Sequence, residues 1–261
     1  MIRMQRLAAL LLALVPFGCV GGTGGDLLTL DAYAAGPPDA DGSLRFESGR
    51  GYQVELTEAR IFVGGVYLNQ AQATSVASET SCGLAGIYVT QVLGGRQFDL
   101  LSAERQAFPS PGFSTTDRAL TGEVWLTSGD VNQPSSSTVV LRVAGKAERD
   151  GQSYPFEGAL TIGENRAIEP TSPALPGQYP ICKQRIVSPI PLELKPTSGS
   201  SLVVRIDPRP MFANVDFKTL SQSGDGYVFA DEPGVDQASD NLYAGLRRST
   251  GVYTFSLESK E

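Results

Sequence analysis

The chain has 261 residues and a formal net charge of −7, and its lysines and arginines are scattered. No basic patch can therefore neutralise the phosphates of a nucleic acid, which excludes the usual nucleic-acid-binding surface. The chain also contains no histidine. This excludes a Ser-His-Asp or Cys-His hydrolase and any zinc or copper site that is built on imidazole.

The first segment is typical of an export signal. Two arginines precede an apolar run over residues 7–17, which is the length of a signal-peptide core and too short to span a bilayer as a helix. We therefore predict that residues 1–18 are a signal peptide.

Cys19 follows this segment and resembles a lipid-attachment cysteine. Gly18 and Cys19 match the end of a bacterial lipobox, whereas Pro16 and Phe17 do not. We predict lipid on Cys19, a flexible Gly-rich tether over residues 19–26 and an outer-membrane location. Plain secretion, or a periplasmic location, is the alternative.

The cysteine count supports the same interpretation. The chain has three cysteines, Cys19, Cys82 and Cys182, and an odd number in an exported protein leaves one thiol over. If Cys19 carries lipid, the other two can form a disulfide in an oxidising compartment. Two buried free thiols at Cys82 and Cys182 are the alternative.

Residues 27–261 are expected to form a single domain, an antiparallel β-sandwich with long loops and one C-terminal helix. Alternation of apolar and polar residues from 52 to 57 predicts a half-buried strand, and the Gly64-Gly65 pair that follows predicts a bulge or a close backbone approach. Asp150-Gly151 between two alternating runs predicts a hairpin.

Other strands are expected along the rest of the chain. Their ranges are 27–30, 44–46, 59–63, 66–68, 86–92, 97–101, 120–127, 138–148, 154–162, 184–187, 192–195, 202–207 and 252–257. The helix is predicted over 235–248, and long loops are predicted over 103–118 and 165–196.

Trp125 is the only tryptophan of the chain. One interpretation places it in the core beneath the sheet. Another groups it with Tyr88 and Tyr179 as an aromatic platform that binds a sugar or a peptide.

The sequence contains no catalytic motif that works without histidine: no Ser-x-x-Lys, no Gly-x-Ser-x-Gly and no P-loop. We therefore predict no catalytic residues, no metal site and no cofactor. A glycosidase needs only two carboxylates across a cleft, so a histidine-free, carbohydrate-active hydrolase with an Asp/Glu pair is the alternative function.

Four short segments resemble uncharacterised bacterial lipoproteins. They are residues 54–61, 66–68, 182–186 and 203–208. The early strand that ends in Ala59-Arg60-Ile61, and the strand-helix-strand order over 202–257, also resemble the MbnP-like family of exported β-sandwich proteins, some of which bind copper. The resemblance implies the β fold, and the missing histidines argue against transfer of the copper function.

These observations predict a lipid-anchored β-sandwich of the bacterial cell envelope that acts as a binding or structural surface module without catalysis. Its expected partners are the membrane, through the N-terminal lipid, and an envelope protein or glycan.

Overall fold

The computed structural model describes residues 26–71, 87–168 and 180–259. The protein is mainly β, and strands make up 51% of the described residues. The strands are β1 (Leu28–Ala35), β2 (Leu44–Glu47), β3 (Gln53–Asn69), β4 (Tyr88–Asp99), β5 (Gln106–Ala107), β6 (Gly112–Ser114), β7 (Ala119–Trp125), β8 (Val139–Arg149), β9 (Gln152–Thr161), β10 (Ile186–Leu194), β11 (Ser200–Ile206), β12 (Ser221–Ser223), β13 (Gly226–Phe229) and β14 (Tyr253–Ser259).

The α-helices are α1 (Ile181–Arg185) and α2 (Gln237–Leu246), and short 3-10 turns lie at Glu164–Arg166, Arg209–Phe212 and Phe217–Thr219. Helix α2 is capped by Asp236, whose carboxylate accepts a hydrogen bond from the amide of Ser239 at 2.7 Å. No helix within the described ranges is long and apolar enough to cross a membrane.

Strand β3 is the centre of one curved, 14-stranded sheet. The first half of β3 pairs with β2 and β8, and the second half pairs with β4 and β7. From β3 the sheet extends through β8, β9 and β13 to β12 on one side, and through β4, β6, β1 and β11 to β14 on the other. One long strand therefore joins two regions of the sheet with different neighbours.

The neighbours of β3 change near the bulge at Gly64, where the ladder with β4 shifts register between Val63 and Gly65. A Cβ at Gly64 would lie 1.7 Å from the carbonyl oxygen of Thr127, so only glycine permits this approach. The bulge and close approach predicted for the glycine pair are confirmed.

The predicted hairpin is also confirmed. Asp150 and Gly151 have φ angles of 54° and 75°, which is the left-handed region that a two-residue type I′ turn requires at both central positions. Strands β8 and β9 pair in register on either side of this turn, from Arg149–Gln152 onward.

The expected antiparallel sheet is wrong in two places, because the sheet is mixed. Strand β1 runs parallel to β11, and β13 runs parallel to β9. Each parallel pair joins strands that are far apart in sequence, and the residues of one strand do not specify the direction of so remote a partner.

Several predicted boundaries also differ from the structure. The expected loop over 103–118 includes β5 and β6, and the expected loop over 165–196 includes α1 and β10. Residues 184–185, predicted as strand, end α1 instead. The two prolines of β10, Pro189 and Pro191, favour a loop by local preference. In the structure its described ladder is with β7, and Pro191 lies opposite Thr121.

The core contains a closed aromatic cluster, which we define as Tyr52, Phe156, Phe212, Phe217 and Phe229. All five are at most 4% exposed, and Phe217 lies 5.0–6.1 Å between ring centroids from the other four. The cluster joins Tyr52, which directly precedes β3, and strands β9 and β13 to two 3-10 turns, and so anchors the irregular segment after β11 to the sheet.

Candidate functional site

The candidate site lies on the face of the sheet that points away from the core. In β3, Val66 and Leu68 are fully buried in the core, so Tyr67 and Asn69, which alternate with them, project from the opposite face. On β7, Glu123 lies opposite Tyr67, and Trp125 lies two residues further along the same face.

Three aromatic side chains form a contiguous row on this outer face. The ring of Tyr67 is 4.5 Å from that of Trp125 between centroids, at an interplanar angle of 33°. It is 5.4 Å from the ring of Tyr88, at 61°. Tyr67 and Trp125 are half-buried and Tyr88 is exposed, so the row presents ring surface to solvent. We call these three residues the aromatic row.

Glu123 is fully buried beneath the aromatic row. Its Oε1 accepts a hydrogen bond from the side-chain amide of Asn69 at 2.9 Å, and its Oε2 accepts one from the indole N–H of Trp125 at 3.3 Å. Burial raises the pKa of Glu123 above its ordinary value of 4.5, although both hydrogen bonds oppose the shift.

The carboxylate also acts on both tyrosines of the row. Burial raises the pKa of Tyr67 and of Tyr88, and the negative charge of Glu123 raises each pKa further. Each phenol is therefore neutral and able to donate a hydrogen bond at ordinary pH. The site combines ring faces with hydroxyl donors around one carboxylate.

Asn69 fixes the carboxylate and leaves one acceptor unused. Its amide nitrogen donates to Glu123, while its Oδ1 is buried without a hydrogen-bond partner. A buried, unpaired carbonyl oxygen is uncommon and costs free energy. Asn69 and Glu123 together therefore place an unsatisfied acceptor and a desolvated carboxylate in an otherwise well-packed part of the sheet.

The structure brings together two of the three residues predicted as an aromatic platform. Tyr88 and Trp125 both contact Tyr67, and Trp125 lies on the outer face rather than in the core. Tyr179 lies outside the described residues.

Sequence reasoning missed Tyr67, Asn69 and Glu123. The signal that could have found them is period-two alternation: Glu123 is two residues before Trp125, and Tyr67 is two residues before Asn69. Alternation along one strand does not predict that β7 pairs with the second half of β3.

The cysteine predictions fall largely outside the described residues, which contain neither Cys19 nor Cys82. Cys182 is fully buried in α1. Its pairing with Cys82 stays a prediction.

The surrounding charges do not make Glu123 part of a carboxylate pair. Within the described ranges no other carboxylate contributes to the pKa of Glu123, and no group of three or more Asp, Glu or Cys side chains could hold a metal ion there. The arrangement of the described residues suits binding through ring faces and hydrogen bonds.

No family model and no curated protein matches this sequence. Among solved structures, MbnP from Methylosinus trichosporium is similar over 90% of this chain and 99% of its own, with 10% sequence identity and a TM-score of 0.32. The similarity to the MbnP-like family is therefore a distant one, as the sequence predicts, and it carries no argument about function.

Proposed function

We propose that this protein is a lipid-anchored binding module of the bacterial cell envelope and that the aromatic row with Glu123 is its ligand site. The proposal rests on one observation: a fully buried carboxylate lies beneath three contiguous, partly exposed aromatic rings on the outer face of the sheet.

The chemistry of the row favours a ligand with an apolar face and hydroxyl groups, and a pyranose sugar has both. Aromatic side chains bind through their faces, and a few placed polar groups fix the orientation of the ligand. Trp125 and Tyr67 supply the faces and the exposed phenol of Tyr88 supplies a polar group, while the buried carboxylate of Glu123 holds the indole of Trp125 in place. An envelope glycan is accordingly the proposed ligand class.

The test uses Trp125, because it is the only tryptophan and its fluorescence reports on the proposed site directly. The protein is titrated with soluble muropeptides and with short neutral oligosaccharides, and emission is recorded. We expect a saturable change for at least one probe. An unchanged emission across all probes contradicts the glycan proposal.

Variants then assign the binding to the row. Tyr67→Ala should abolish binding measured by calorimetry, because Tyr67 contacts both other rings. Tyr154→Ala is the matched control, since Tyr154 is also a half-buried tyrosine in aromatic contact but packs against the core cluster through Tyr52. Equal loss in both variants would assign the effect to folding rather than to the site.

The anchor is tested separately at Cys19. We expect the wild-type protein to partition into detergent and to incorporate a labelled fatty acid, and Cys19→Ala to do neither. If the Cys19→Ala protein still partitions into detergent, lipid on this cysteine is not the anchor and secretion becomes the better interpretation.

The remaining cysteines give an independent check of export. We propose a Cys82–Cys182 disulfide, which in the chain-entropy model for a loop of about 100 residues would stabilise by up to ~4.7 kcal/mol. Non-reducing peptide mapping should recover the linked peptides. Recovery of a Cys19–Cys182 pair instead would reject both the bridge and the lipidation of Cys19.

We also infer that the curved sheet folds into two facing layers, as in a β-sandwich. Gly122 of β7 supports this, because a Cβ there would lie 2.8 Å from the ring of Phe255 on β14, a strand with which β7 does not pair. An experimental structure with β7 and β14 apart would contradict the inference.

A further inference from the structure

A second feature of the outer face is an apolar patch, which we define as Leu27, Tyr88 and Phe113. Leu27 is 86% exposed, Phe113 is 60% exposed and Tyr88 is 42% exposed. All three line one shallow depression of about 240 Å³ between β1, β4 and β6. Leu93, also largely exposed, lies further along β4 on the face of Gln91, the residue opposite Phe113.

The exposure of the patch does not result from poor packing of the strands beneath it. The strands beneath them are well paired, with Thr29 opposite Phe113 and Gln91 opposite Phe113 in the two ladders. The alternate side chains, Leu30 and Val92, are fully buried. The large apolar groups therefore sit on a rigid surface, and clustered exposed apolar side chains of this kind mark an interaction surface.

The charges around the patch restrict what can cover it. None of the residues that line the depression carries a charge. The nearest described charged neighbours along the chain are of both signs: Asp26 donates its amide to Thr116 at 3.1 Å, Asp117 accepts a hydrogen bond from Thr115 at 2.8 Å, and Arg118 forms an ion pair with Glu193. A neutral apolar surface fits an uncharged partner.

The chain itself indicates which partner this is. Leu27 belongs to the patch and is only eight residues after Cys19, and eight residues span at most about 29 Å when fully extended. A lipid on Cys19 would hold the patch next to the bilayer at a high effective concentration. Aromatic side chains with a polar tip, such as Tyr88, favour the boundary between lipid and water.

We propose that Leu27, Tyr88 and Phe113 dock on the bilayer surface beside the anchor, so that the domain lies on the membrane in a fixed orientation. The inference rests on the proposed lipid at Cys19. It adds that the anchor orients the domain as well as retaining it. Because Tyr88 also belongs to the aromatic row, the ligand site would lie at the membrane boundary.

The test measures hydrogen exchange of the mature chain on zwitterionic phosphatidylcholine vesicles, with the protein without vesicles as the reference. The chain from Cys19 onward is coupled through Cys19 to a maleimide lipid, so that attachment does not depend on natural lipidation. We expect at least about tenfold slower exchange over residues 26–30 and 112–115, since burial of one such side chain is worth more than a factor of ten.

Variants make the test specific. The double variant Leu27→Asp/Phe113→Asp should remain attached in flotation but lose the protection. Val235→Asp is the matched control, because Val235 is 56% exposed in the segment before α2, and it should keep the protection. Circular dichroism and the exchange of residues 53–69 verify that both variants are folded.

Three results would overturn the proposal. The first is that the attached wild-type protein shows no protection at these segments. The second is that the double variant keeps the protection. The third is that protection appears without vesicles at high protein concentration. The last result would mean that a second copy covers the patch. If Cys19 receives no lipid in cells, the fatty-acid labelling detects this, and the result counts against the proposed function. The maleimide-coupled sample still tests whether the patch docks on the bilayer.

Discussion

The protein has two aromatic groups that differ in solvent exposure and in the polar groups they contact. The closed aromatic cluster around Phe217 is buried on all sides. Its one hydroxyl, that of Tyr52, donates to Asp216 at 2.5 Å. The aromatic row of Tyr67, Tyr88 and Trp125 keeps ring surface exposed and covers the buried carboxylate of Glu123.

This difference shows which aromatic group stabilises the fold and which one is available to a ligand. In the closed cluster every ring contacts other rings and the polar group is paired, so the cluster contributes stability and has no free face. In the row, burial disfavours the charged form of Glu123, and Asn69 has an unpaired acceptor. A site that reduces stability and keeps exposed rings is the better candidate for binding.

The largest expected effect is in the closed cluster. Phe217→Ala should lower the free energy of unfolding by about 3–5 kcal/mol, because it leaves a cavity among four rings. Tyr67→Ala in the row should cost only about 1–2 kcal/mol, since Tyr67 is already partly solvated. Urea denaturation measures both. Similar losses would mean that the row is simply a second part of the core.

An intermediate effect is expected at the single hydroxyl of the closed cluster. Tyr52→Phe should cost about 1–2 kcal/mol, because the hydrogen bond to Asp216 is lost. Burial, followed by this hydrogen bond, raises the pKa of Tyr52 to about 12 from its ordinary value of 10. The associated stability is fully present below pH 10 and is lost as the pH rises toward 12.

Denaturation across pH 9 to 12 measures this loss, and Tyr52→Phe should lack the part of the slope that Tyr52 contributes. Tyr154→Phe is the control, because Tyr154 contacts the same ring. A slope that is unchanged in Tyr52→Phe would contradict the assignment.

The smallest effect is expected at Glu123 and has the form of a pH dependence. Because its pKa is raised in the folded state, its contribution is most favourable below the ordinary value of 4.5 and declines as the pH rises through the shifted pKa. Glu123→Gln should remove this decline, as followed by thermal unfolding from pH 4 upward. The exposed Glu193→Gln should leave it unchanged, and a decline that persists in Glu123→Gln would contradict the assignment.

Local features of the fold could be predicted because neighbouring residues specify them. The Asp150-Gly151 turn, the bulge at Gly64 and helix α2 depend on the backbone preferences of a few adjacent residues. The prediction of a loop at β10 was wrong because it also used local preference. Proline disfavours a strand locally, but the ladder with β7 outweighs this preference in the structure.

The candidate site could be predicted only in part. Tyr88 and Trp125 were recognisable as aromatic side chains on strands, but Tyr67, which connects them, and Glu123, which lies beneath them, acquire their roles from the pairing of β3 with β4 and β7. Each of those ladders joins residues that are 19 or more positions apart. The choice of partner depends on packing across the whole sheet.

The sequence alone determined the β-rich character of the chain, its tight turns and the exclusion of imidazole chemistry, because composition and short-range sterics suffice for each. Tertiary structure decided which strands run parallel, where a buried carboxylate meets aromatic rings and which apolar side chains stay exposed beside Leu27. Those properties arise from contacts between distant segments, and solvent exclusion around them exists only once the sheet has formed.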